Sequence, residues 1–161
     1  MGKESKIKTF KLSQKNAKGL NKIMKNGTVI VAFFMPPKRC SHCDALKPTW
    51  NQLMKKYKNV ATKTPTALVT SVMGSEGLMD TSDTEVDGFP TIRVFRSGKK
   101  YEDYDKERSI DALSNFIDNK FGIMMGGGGR KYRKKLRTYR RKKRKKRRTR
   151  KKKRKLFFGL F

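Results

Sequence analysis

Apolar residues recur along the first 121 positions of the chain with changing period, and the changes lay out a series of strands and helices. Residues 7–12 read as a first strand. Ser13 stands where an N-cap is wanted, ahead of Ala17, Leu20, Ile23 and Met24 on one helical face, and Asn26-Gly27 ends that helix. The unbroken apolar and β-branched run 29–35 predicts a buried strand. Leu46, Trp50, Leu53, Met54 and Tyr57 form a second helical stripe, in which Trp50 serves packing. Residues 67–73 read as a central strand, and 74–87 are polar, with room for a short helix at 76–79. Residues 91–95 and 100–104 bracket Ser97-Gly98, a hairpin signal. Ser109 then caps a last helix carrying Ile110, Leu113, Phe116, Ile117 and Phe121, with Asp111 in its first turn. This order predicts an α/β fold with a mixed sheet flanked by helices on both faces, large enough for a modest core.

The pattern stops at a run of glycines, Gly126 to Gly129, which favours neither helix nor strand. The expected organisation is therefore a domain over 1–122, a linker over 123–129, a polybasic tail over 130–155 and a hydrophobic C-terminal anchor over 156–161. The formal net charge of +30 is unevenly placed, because all 13 acidic residues lie between Glu4 and Asp118. Residues 130–155 hold 21 Lys or Arg in 26 positions and no acid. Arg130, Lys131, Arg133, Arg140, Arg141, Arg144, Arg147, Arg148 and Arg150 are the candidate contacts to a polyanion, which makes nucleic acid the leading partner and an acidic protein surface or anionic membrane the second. Tyr132, Leu136 and Tyr139 recur at helical spacing, so a polyanion would draw part of the tail into helix. The closing residues Phe157, Phe158 and Phe161, with Leu156 and Leu160, form an apolar reversal suited to a pocket on a partner such as a protein shell.

Both cysteines and the one histidine of the chain sit together at Cys40-Ser41-His42-Cys43, where the buried strand gives way to helical periodicity. Helix N-terminal N–H groups stabilise a thiolate at such a junction. A structural zinc site needs four Cys or His ligands and the segment offers three, so one chain does not close it. Two inert buried cysteines are a poor account of this spacing at a helix start. A dithiol/disulfide couple is the reading that fits, and it calls for neither metal nor cofactor.

At this point the sequence resembles the thioredoxin superfamily, and within it the protein disulfide isomerase type of domain, over most of residues 5–121. Cys40-Ser41-His42-Cys43 is similar to the family's active site, Pro48 to the proline that kinks its active-site helix, and Val86-Asp87-Gly88-Phe89-Pro90-Thr91-Ile92 to its second signature. The run Phe95-Arg96-Ser97-Gly98-Lys99 matches the terminal hairpin turn. The resemblance implies a thioredoxin-like fold, protein thiols and disulfides as substrates, Cys40 as nucleophile, Cys43 as the more buried resolving thiol, and Pro90 as a cis-proline facing the disulfide. Protonated His42, with Lys38 and Arg39, then favours the Cys40 thiolate, while Phe89 and Arg39 flank the substrate. A stabilised thiolate implies an oxidising or isomerising poise.

The departures change the picture. Arg39 replaces the family's tryptophan before the first cysteine, and Pro37-Lys38 lengthen the loop by two residues. Ala32 stands where the family commonly buries an acid that moves the second cysteine's proton, so resolution of a mixed disulfide is expected to be slow. Asp44 partly opposes the cationic field of Lys38 and Arg39.

The start of the chain lacks the apolar core of a secretory signal, and no apolar run approaches the length of a transmembrane span. Synthesis in the cytosol is expected, with nucleus or virion as destinations, and cytosolic disulfides are usually transient and catalytic. The glycine-plus-polybasic ending resembles internal proteins of large DNA-virus particles. Two functions follow: a thiol-disulfide oxidoreductase or isomerase tethered by its tail to nucleic acid or a large assembly, or a minor capsid protein of a virus particle on a thioredoxin scaffold.

Overall fold

The computed structural model describes residues 4–123. The glycine run, the basic residues from Arg130 to Arg150 singled out above, and the Phe157, Phe158 and Phe161 anchor lie outside the described residues. In chain order the elements are β1 (Ser5–Lys6), β2 (Lys8–Lys11), α1 (Gln14–Asn26), β3 (Thr28–Phe34), α2 (Ser41–Tyr57), β4 (Ala61–Thr62), β5 (Thr66–Val72), a 3₁₀ turn (Glu76–Leu78), β6 (Thr91–Arg96), β7 (Lys99–Asp103) and α3 (Ile110–Phe121). Five strands form one mixed sheet in the order β2-β5-β3-β6-β7. β2, β5 and β3 run parallel, whereas β6 is antiparallel to β3 and β7 to β6.

Alternation along β3 explains the layering, because successive side chains of a strand point to opposite faces. Ile30, Ala32 and Phe34 join a core with Leu46, Trp50, Leu53 and Tyr57 of α2 and Leu113, Ile117 and Phe121 of α3. Val29, Val31 and Phe33 join a second core with Leu20, Ile23 and Met24 of α1 and with Phe95. A strand apolar at every position after Thr28 cannot leave either face wet. The helices therefore cover both sides, as the sequence pattern implies.

Local signals end the elements where expected. The Asn16 side chain accepts from the Ser13 N–H at 2.9 Å, the Ser109 hydroxyl accepts from the Ala112 N–H at 3.3 Å, and Ser97 and Gly98, both at positive φ, close the β6–β7 hairpin. A β-carbon at Gly27 would collide with the Pro65 carbonyl, so the close approach of the α1–β3 turn to that loop requires glycine.

Three details differ from the sequence pattern. The first strand is split, because Ile7 donates its N–H to Val60 and accepts from Asn59, turning the ladder from β4 on one side to β5 on the other. β4, at two residues, is too short to carry a periodic signal. The middle of the sheet is β3, and β5 lies one place toward the β2 edge.

The polar stretch before β6 is held by Arg93, whose residue is only 3% exposed. Its Nε and Nη2 donate to the two carboxylate oxygens of Asp103 at 2.6 and 2.9 Å, and Nη1 donates to the carbonyls of Asp83 and Glu85, each at 2.7 Å. The Arg93 hydrogen bond holds the Asp103 carboxyl below the usual carboxylate range, against the opposing effect of burial. A depressed folded pKa stabilises fully above the unfolded carboxylate value, about 3.9, and the contribution is lost as pH falls through the folded value. Asp103→Asn is accordingly expected to cost about 1–3 kcal/mol at neutral pH. Urea unfolding should show the gap from the parent narrowing as pH drops below the unfolded value. A gap independent of pH would show that the carboxylate charge is not what holds the clamp.

Candidate active site

The end of β3 aims the chain at the cysteines. Pro36 and Pro37 cannot extend a hydrogen-bonded ladder, and Lys38, at φ 65°, turns the backbone with a bond from the Arg39 N–H to the Pro36 carbonyl. The lengthened loop is thus taken up in one turn. Cys40 follows in extended conformation as the N-cap of α2, and its Sγ accepts from the Cys43 N–H at 3.1 Å. The helix starts within the motif, at Ser41, one turn earlier than the apolar stripe indicated. One orphan N–H of the first turn, that of Cys43, consequently points at the Cys40 sulfur.

The two sulfurs are joined in a disulfide whose Cα atoms are 5.2 Å apart. Their surroundings differ: Cys43 is 0% exposed and belongs to the core of Ile30, Ala32, Phe34 and Trp50, whereas Cys40 is partly exposed at its edge. Lys38, Arg39 and His42 are exposed around the helix start. Asp44, in the first turn, pairs with Lys47 at 2.9 Å, which takes up part of the negative charge it brings to the site.

The facing wall comes from the loop before β6. The Phe89–Pro90 peptide bond is cis, and the Phe89 carbonyl oxygen lies 3.6 Å from Cys40 Sγ. Thr91 donates its hydroxyl to the Gly88 carbonyl at 2.7 Å, and Arg108 donates to the Pro90 carbonyl at 3.0 Å. Pro90 is buried and Phe89 half-buried. The fold therefore brings the Cys40–Cys43 pair against the 88–91 loop, although 49 residues separate Cys40 from Phe89.

Beneath the disulfide, Ala32 is fully buried and registers with Thr70 of β5 and Ile92 of β6. Thr70 accepts from the Trp50 indole N–H at 3.0 Å, which satisfies the polar atom of an otherwise packed side chain. The Ala32 position offers Cys43 no proton acceptor.

A thioredoxin family model matches residues 9–119 of the sequence. The chain belongs to the thioredoxin family. It is 36% identical over 115 residues to protein disulfide-isomerase 2-3 of Arabidopsis thaliana, an alignment that covers 71% of this chain and 24% of that protein. The thioredoxin domain-containing protein 5 homolog of Drosophila melanogaster is 32% identical over 102 residues, covering 63% of this chain and 23% of its own length. The chain thus spans about a quarter of the length of these curated relatives. Among solved structures, the J-Trx1 fragment of ERdj5 aligns with a TM-score of 0.50 at 24% identity, over 70% of this chain and 50% of that one, a likeness of fold alone.

Three features of this thioredoxin site were not legible as function in the sequence. Arg93 and Arg108, isolated cations in a basic chain, anchor the loop that faces Cys40. An open groove beside Phe89, about 630 Å³ in volume, is lined by Met73 and by Glu76, Glu85, Val86 and Asp87, the last four from the stretch left ambiguous by periodicity. Only a signal tying 74–87 to the second signature at 86–92 would have located it.

The burial difference has a direct consequence for the reduced protein. Iodoacetamide at limiting amount is expected to label Cys40 well before Cys43, as read by peptide mass spectrometry. Labelling of Cys43 first would mean that the accessible sulfur has been misassigned.

Proposed function

We propose that the chain is a thiol-disulfide oxidoreductase or isomerase of the thioredoxin and protein disulfide isomerase type, tethered through its basic tail to nucleic acid or a large assembly. The observation that carries the redox reading is the asymmetric disulfide, with Cys40 partly exposed at a helix start against the Phe89 carbonyl and Cys43 buried behind it. In the oxidising direction a substrate thiolate attacks Cys40 Sγ, the S–S bond breaks, and Cys43 leaves as a thiolate that takes a proton. A second substrate thiolate then attacks its own sulfur in the mixed disulfide, and Cys40 leaves as thiolate. The substrate loses two electrons and two protons and gains a disulfide, while the protein disulfide becomes a dithiol.

Each neighbour has a place in this scheme. The Cys43 N–H at the helix start, Lys38 and Arg39, and His42 when protonated, stabilise the departing Cys40 thiolate. The loop at Phe89 and cis-Pro90 presents backbone to an extended substrate, and exposed Arg39 directly precedes Cys40 as a second contact. When Cys40 is reduced, its S–H has the Phe89 carbonyl within reach as an acceptor. Catalysis of isomerisation uses the same chemistry, with Cys40 attacking a substrate disulfide and being released by a substrate thiol.

Release of Cys40 through Cys43 needs the buried thiol to lose its proton, and Ala32 supplies no base. Ala32→Glu is expected to speed this resolution several-fold in stopped-flow measurements of a mixed disulfide with glutathione, while lowering stability by about 1–3 kcal/mol through burial of the carboxyl. An unchanged rate in the folded variant would show that another base, or water, already serves Cys43. Absence of any exchange between the parent protein and a glutathione couple would remove the redox reading itself.

For the tail, the charge density of residues 130–155 supports nucleic acid as partner, and the apolar ending at 156–161 supports the second reading, a particle protein docked through Phe157, Phe158 and Phe161 on a protein shell. Neutralising about 6–10 phosphates gives steeply salt-dependent affinity without sequence selectivity. Removing residues 130–161 is expected to abolish such binding in filter or fluorescence-anisotropy titrations and to leave disulfide exchange intact. Equal affinity with and without the tail would refute the electrostatic tether.

A further inference from the structure

The groove beside Phe89 has a charge opposite to that of the chain. Val86, Phe89 and Met73 give it an apolar part of its lining, Met73 being 55% exposed and the most exposed large hydrophobic among the described residues. Glu76, Glu85 and Asp87 line the same groove. Glu76 accepts from the Gly74 N–H at 2.6 Å, but no carboxylate of the three is paired with a cation among the described residues. The wall is set in place, because Arg93 grips the Asp83 and Glu85 carbonyls from below and is itself gripped by Asp103. Phe89 belongs to the lining, and its carbonyl lies 3.6 Å from the Cys40 sulfur.

We propose that this groove receives a cationic and apolar segment of the substrate protein, so that the disulfide acts preferentially on cysteines flanked by Lys or Arg. This substrate assignment rests on the redox reading given above. A segment lying along the groove places its long side chains over Met73 and Val86 and its charges at Glu85 and Asp87, with a cysteine arriving at Cys40. Lys and Arg suit this surface because their aliphatic stems cover apolar area while the charged heads stay at the rim. The groove is about 630 Å³ and open along its length, which fits an extended segment better than an enclosed small molecule. Lys38 and Arg39, exposed immediately before Cys40 in the chain, disfavour the same charges at their own positions and so favour placing them in the groove.

The test uses the full chain and three dithiol peptides of equal length, bearing Lys, Ser or Glu at the two positions on each side of the cysteines. Single-turnover reduction of the Cys40–Cys43 disulfide is followed by acid quench and mass spectrometry, and each rate is normalised to that of the Ser peptide. The basic tail favours the Glu peptide at a distance, so the quantity read is the change in the Lys-to-Glu ratio between parent and the Glu85→Gln, Asp87→Asn double variant. The ratio is expected to fall about three- to tenfold in the variant. The parent's ratio is also expected to move toward the variant's at high salt. The same ratio in both proteins at low salt would overturn the groove assignment. Should no peptide reduce the disulfide in either protein, the redox reading fails instead, and the substrate proposal falls with it.

Discussion

Burial of β3 on both faces is the constraint from which the rest of the domain follows. Six of its seven residues are fully buried, alternating between two cores, so this strand can occupy only an interior position, with helices on each side. α1 covers the Val29, Val31 and Phe33 face, while α2 and α3 cover the Ile30, Ala32 and Phe34 face. The same arrangement makes the loop after Phe34 emerge where α2 must begin, which is why the cysteines meet a helix N-terminus rather than a strand or a solvated loop. The position of the more exposed sulfur is thus a consequence of packing several residues upstream.

α2 is held firmly at the end remote from the disulfide. The Tyr57 hydroxyl contacts the Asp118 carboxylate at 2.7 Å and the Ser114 carbonyl at 3.0 Å, and burial, with Asp118 adding to it, pushes the Tyr57 pKa well above its ordinary value. The phenol therefore stays neutral and available to donate across the α2–α3 contact. At the other end the helix carries the disulfide, Pro48 at the end of its second turn, and exposed His42 and Asp44. Rigidity at one end and accessibility at the other is an arrangement that lets the first turn serve chemistry without loosening the core.

Charge is distributed with similar division of labour. The exposed lysines of α1, Lys15, Lys18, Lys22 and Lys25, lie on the side of the sheet away from α2, whereas carboxylates gather in the loop that leads to cis-Pro90. Arg93 makes the second grouping possible. By satisfying two loop carbonyls with a buried guanidinium and offsetting that charge with Asp103, it holds the acidic loop in one conformation without spending the loop's own side chains.

What the sequence determined by itself is what depends on local periodicity and on residue types with restricted conformations. The apolar run of β3, the stripes of α1, α2 and α3, the Ser13 and Ser109 caps and the Ser97-Gly98 turn all announce themselves within a few residues, and the C-x-x-C pair with Pro90 identified the chemistry through resemblance to a family. Tertiary structure supplied the cause of the burial of Cys43, which the resemblance had only implied, because that burial depends on Ala32, Trp50 and Cys43 meeting in one core. It also decided the split of β1 from β2, since a change of hydrogen-bond partner leaves no periodic trace. The groove and the Arg93 clamp belong with these: their residues come from an irregular segment and a strand brought together by long-range contacts, and a lone arginine in a sequence of 43 basic residues carries no local sign that it will be buried.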